Sequence, residues 1–218
     1  MWRRVAGAAL LAGVLAGCGA AEDDDKKASA SSAPTKASGA GGGADAGARS
    51  GGRLGGPGTA CELPVSFETA ARWKAESVLS GSGASGSPEE RPEELLYQGP
   101  VALACEVDAK PAGHIGFLRV YTGKPGGADA RGVLEAFLAA ENGASKETYR
   151  SFTAGGLSGV EVEYLYTSEF LDEPKQEHAL AVATADGPVV LHLGGIDTQE
   201  HQSMLPAFEL AKRTLRTA

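Results

Sequence analysis

The stretch His178-Ala-Leu-Ala-Val-Ala-Thr-Ala-Asp186-Gly187-Pro-Val-Val-Leu-His-Leu193 holds two apolar runs divided by Asp-Gly. Asp-Gly tolerates the positive φ that a two-residue hairpin turn demands. Residues 178–185 and 188–193 are therefore predicted to pair as antiparallel strands, closed by Gly194-Gly195. Upstream, 159–170 reads as a longer strand. It has Val160, Val162, Tyr164 and Tyr166 on one face and Glu161 and Glu163 on the other, an exposed face by this reading. Thr148 to Ala154 precedes it as another strand.

Further outward the period changes. Ala130, Val133, Leu134, Phe137 and Leu138 recur at helical spacing behind Asp129, a capping residue, and Asn142-Gly143 supplies the stop. His114 to Thr122 is apolar on both faces, as a sheet-centre strand covered on both sides would be. Val101 to Val107 reads as a buried strand, Leu63 to Phe67 and Trp73 to Val78 as strands, and 80–94 as an exposed loop rich in Gly, Ser, Pro and Glu. At the other end Met204, Phe208, Ala211 and Leu215 form the apolar stripe of a last helix, with Glu209, Lys212, Arg213 and Arg216 outside. Pro206 should sit in that helix's first turn or kink it. Strands, helix, antiparallel strands, helix is an α+β order, a mostly antiparallel sheet with helices packed on it.

A strand ending near Tyr121, the 129–141 helix, the Gly155-Gly156-Leu157-Ser158-Gly159 turn, the Asp-Gly hairpin and the final helix together resemble the PsbP-type fold. Actinobacterial lipoproteins of the LpqN kind share it. The likeness spans about residues 61–217 and rests on element order. It implies an α/β/α sandwich with accessory or binding roles, and it brings no catalytic motif.

The N-terminus is of another character. Met1-Trp2-Arg3-Arg4 precedes an uncharged run, Val5 to Gly17, too short to span a bilayer comfortably. It ends Leu15-Ala16-Gly17-Cys18, which resembles the bacterial lipobox. Residues 1–17 are thus expected to be a lipoprotein signal peptide, with Cys18 the lipidated residue. Two or more acyl chains on one Cys would hold the protein on a membrane. Arg3-Arg4 also hints at twin-arginine export, although the surrounding residues fit that signal poorly.

Residues 18–60 are expected to form a disordered tether, since Leu54 is its only large apolar side chain. As a coil it would reach roughly 35 Å. The single globular domain is placed at 61–218. That domain carries 23 acidic and 13 basic residues, which argues against nucleic acid and against the domain lying on anionic lipid. With Cys18 assigned to lipid, Cys61 and Cys105 remain. In an exported protein they suggest a disulfide contributing about 4 kcal/mol, with two buried thiols as the alternative.

No spacing signals chemistry. His114, His178, His192 and His201 make no close metal pair. His192 is expected to be hydrogen-bonded or at a sheet edge, and His201 and Glu200 to lie at the surface. Ser158 misses the nucleophile-elbow spacing and joins two strands. Glu169, Asp172 and Glu173 read as a solvated acidic loop, although loop carboxylates can hold Ca²⁺. Tyr97, Tyr121, Tyr164, Tyr166, Trp73 and Phe117 read as core or pocket aromatics. No catalytic, cofactor or metal residues are therefore assigned. The expected protein is a lipid-anchored lipoprotein of the extracytoplasmic membrane face, binding an envelope protein or small ligand. An extracellular hydrolase and a small solute receptor are the alternatives. A cleft with two carboxylates, or a Ser–His contact, would favour the hydrolase.

Overall fold

The computed structural model describes residues 47–78, 96–127, 129–169 and 173–218. The signal peptide, Cys18, most of the tether, the 80–94 loop and Asp172 lie outside the described residues.

The hairpin at 186 is present. β9 (Lys175–Thr184) pairs antiparallel with β10 (Gly187–Gly195). The turn is centred one residue earlier than predicted, with Gly187 already opposite Thr184. The Thr184 hydroxyl accepts from the Asp186 N–H and donates to the Gly187 carbonyl, which fixes that register. Around the hairpin grow β5 (Val101–Asp108), β6 (Gly116–Gly123), β7 (Ala144–Ala154) and β8 (Leu157–Tyr166). With β3 (Lys74–Ser77) they run β3-β5-β6-β10-β9-β8-β7, and β4 (Tyr97–Gln98) pairs beside β5. Every neighbouring pair is antiparallel. Gly155 and Gly156 join β7 to β8 with φ of 54° and 83°, the two positive values that a tight hairpin matching strand twist requires.

The helices cover opposite faces. α1 (Ala130–Ala139) is capped by Asp129, whose carboxylate accepts from the Gly132 N–H, and buries Val133, Leu134, Phe137 and Leu138. They meet Val162, Tyr164, Ala179, Ala181 and Val190 on one face of the sheet. α2 (Thr198–Thr214) is capped by Asp197, whose carboxylate accepts from the Glu200 N–H. Its Met204, Phe208 and Ala211, with Leu215 beyond its end, pack on Leu180, Val182, Leu191 and Leu193 of the other face. Pro206 lies inside α2 rather than in its first turn, on the exposed side of the helix.

The domain begins before the expected boundary at 61. β1 (Ser50–Leu54) pairs antiparallel with β2 (Val65–Ala70), and β11 (Arg216–Thr217) pairs with β2 from the other side. Leu54, opposite Phe67, is 4% exposed and belongs to the α2-side core. The one large apolar residue of the supposed tether is what draws this segment into the fold. Cys61 and Cys105 form the disulfide, both buried, tying the β1–β2 connection to the middle of β5.

Candidate functional site

A ten-residue helix is about 15 Å long, and a ten-residue strand more than 30 Å. α1 therefore covers about half of its sheet face. Past its end the face opens into a hollow of about 370 Å³, floored by Phe117, Arg119, Tyr166, Lys175, Glu177 and His192 and walled by Glu141. A second hollow of about 570 Å³ shares Tyr166, Lys175 and Ile196 and extends toward the start of α2. Ile115 and Ile196 stand at the first hollow's rim, 61% and 59% exposed.

The register places the polar groups. Tyr164 on β8 is opposite Glu177 on β9, and His192 on β10 is opposite Ala179, two residues along. Period-2 alternation puts all three on the α1 face. Glu141 lies two residues beyond α1, where its N–H donates to the Leu138 carbonyl. The Tyr164 hydroxyl sits 2.6 Å from Glu141 Oε2, 3.0 Å from Glu177 Oε2 and 3.1 Å from His192 Nε2. His192 Nε2 is itself 2.9 Å from Glu177 Oε2. The other Glu177 oxygen pairs with Lys175 Nζ at 2.6 Å, and that ammonium also donates to the Gly195 carbonyl at 2.7 Å. Arg119 is held by Glu106 at 2.8 Å and lies over the Phe117 ring.

Burial alone would raise the Glu177 carboxyl, but His192 and Lys175 beside it hold it down to about 2. Burial raises Glu141, which Glu177 raises further against the pull of His192. Burial and the two carboxylates push the Tyr164 phenol well above its ordinary value. Two carboxylates thus share one small site with opposite shifts. That is the usual mark of an acid–base pair, but here the Tyr164 hydroxyl is hydrogen-bonded to both carboxylates.

The other sequence-level candidates separate. His201 is not at the surface: it is fully buried, with Nε2 2.7 Å from Nδ1 of His178 and the rings stacked. Burial, then His178, lowers His201 to about 4. Glu161 is not freely exposed either. It accepts from Lys212 Nζ at 2.5 Å, so Lys212 lies under α2's edge rather than on its outer side. Glu163, on the same face, accepts from the Gln176 side chain. Ser203 does contact a histidine, His114 Nδ1 at 3.3 Å, but Glu200 binds that same nitrogen at 2.8 Å. A nucleophile relay needs the hydroxyl and the carboxylate on opposite ring nitrogens, so this trio is no triad. Ser158 lies exposed in β8, and Glu169 and Glu173 are exposed. Tyr164 and Tyr121 are core residues, whereas Tyr97 is 56% exposed.

Glu141 and Glu177 escape sequence reasoning, and Tyr164 reads only as a core or pocket aromatic, because 141, 164, 177 and 192 have no common spacing. One signal was present. With β9 begun at Lys175 instead of His178, Glu177 falls in phase with Ala179 and Ala181, a carboxylate on an apolar face.

Among the described residues no helix is long and apolar enough to cross a membrane. The fold is similar to the solution structure of cyanobacterial PsbP (CyanoP) from Synechocystis sp. PCC 6803. That match has 12% identity, covers 77% of this chain and 98% of the other, and has a TM-score of 0.46. No curated protein matches the sequence. The model of a family described as uncharacterised lipoproteins matches residues 29–215, and the chain belongs to that family.

Proposed function

We propose that this is a protein lipid-anchored at the extracytoplasmic face of the cell membrane that binds a small polar ligand in the hollow beyond α1. The LpqN-type kinship belongs to the same reading. The observation that carries it is the open end of the α1 face: buried Glu177 and His192, with Glu141 and Lys175, converge in a hollow rimmed by exposed Ile115 and Ile196. Sites of this kind combine an apolar wall with a few placed polar groups. Buried ionic groups add little net stability, so packing alone does not account for this cluster. The signal-like N-terminus and Cys18 supply the anchor. The 19–49 segment, rich in Gly, Ala and Ser, supplies reach.

Two measurements test the reading. Cys18→Ala is expected to move the protein from the membrane fraction into the medium; retention at the wild-type level overturns the anchor. A photo-crosslinker at Ile196 on intact cells is expected to capture an adduct that the same group at Asp186, in the hairpin at the far end of the sheet, does not. Equal yields at the two positions, or none at either, overturn the binding site.

A further inference from the structure

Four atoms converge at the inner end of the hollow: Glu141 Oε2, Glu177 Oε2, His192 Nε2 and Tyr164 Oη. They make four short contacts of 2.6, 3.0, 3.1 and 2.9 Å. Glu177 and His192 are buried and Glu141 is half-buried at the wall of the hollow, so three side chains of metal-ligating type meet where the interior opens to solvent. Lys175 engages the other Glu177 oxygen and Arg119 engages Glu106, and neither bonds Glu141.

We propose that Glu141, Glu177 and His192 bind one divalent cation of the zinc type, with its open coordination position facing the hollow. One ligand atom from each of the three lies within 4.8 Å of the others. Two oxygens and one imidazole nitrogen suit zinc and its first-row neighbours better than calcium or magnesium. Bonds of about 2.0–2.1 Å place tetrahedral ligands about 3.3 Å apart; His192 Nε2 and Glu177 Oε2, 2.9 Å apart, need to part by only a few tenths of an ångström, and the Glu141 carboxylate lies within 4.8 Å of both residues' donors. Tyr164, 1% exposed beneath them, is a positioning residue whose hydroxyl holds Glu141 against the other two. Three protein ligands leave a position for water or an oxygen donor from the hollow. This deepens the binding reading above and rests on it: the ligand would be a small oxygen-rich molecule held partly by the ion.

Zinc chloride titrated calorimetrically into the detergent-solubilised full chain tests this. One ion per chain is expected, weakened about tenfold or more in Glu141→Gln and unchanged in His114→Gln, which alters the neighbouring histidine outside the site. Cobalt(II) loading of the unaltered protein serves as a second readout that needs no variant. It is expected to give visible bands and histidine hyperfine coupling. Absence of saturable zinc and cobalt uptake overturns the proposal, as does uptake that Glu141→Gln leaves intact. Ile196 crosslinking that persists in a chain with no metal uptake overturns the cation alone and leaves the binding reading standing.

Discussion

Tyr164 shows how one side chain can organise a site it does not itself open. Its hydroxyl touches Glu141, Glu177 and His192, and its ring lies among α1-side core residues. Tyr164→Phe keeps the ring and removes the hydroxyl. Buried Glu177 and half-buried Glu141 then lose a partner, a loss of about 1–3 kcal/mol. Urea unfolding is expected to show that drop, while Tyr97→Phe, at an exposed position, stays within about 0.5 kcal/mol. Equal stabilities for the two variants would contradict the network. The sequence shows Tyr164 as a strand aromatic on the right face, but its polar partners come from three separate segments.

Among the elements, α2 carries the clearest pH dependence. His201 docks its first turns onto the sheet by stacking on His178. Glu163, Glu161 and Glu209 and the Lys212 ammonium act on His178 from around it. Glu177, His192 and Lys175 act on His201 through the sheet. The folded His201 titrates at about 4 against 6.5 for the ordinary group. Between those values the unfolded chain binds a proton that the folded chain refuses. Its contribution is complete above pH 6.5 and lost as pH falls toward 4, by on the order of 3 kcal/mol. Thermal unfolding followed across pH 7 to 4 should show this fall, and His201→Phe should flatten it. An unchanged slope in that variant would assign the acid sensitivity elsewhere. Helical spacing revealed the α2 stripe at Met204, Phe208 and Ala211. It also places His201 one turn ahead on the same stripe, but a histidine near a helix start and beside Glu200 looks like surface until a second histidine is found facing it.

For the molecule as a whole, the boundary between tether and domain is the testable matter. β1 is polar and glycine-rich except for Leu54, and its backbone completes the β1-β2-β11 sheet beside the disulfide. A chain starting at residue 47 should unfold with the midpoint of the full protein. One starting at 61 loses β1 and the burial of Leu54, a cost of at least about 2–5 kcal/mol by analogy with large-to-small core changes. Indistinguishable unfolding of the two truncations would return β1 to the tether. The sequence by itself determined the antiparallel hairpins, the faces of both helices, the likelihood of a Cys61–Cys105 bridge and the lipobox-like start. Each of these depends on residues near one another in the chain, or on an arithmetic of few cysteines. Only the tertiary structure decided that Leu54 is core, that His178 and His201 stack, and that Glu141, Tyr164, Glu177 and His192 share one site. Those follow from strand register and from where α1 stops, and both are settled by packing across the sheet, which sequence spacing does not carry.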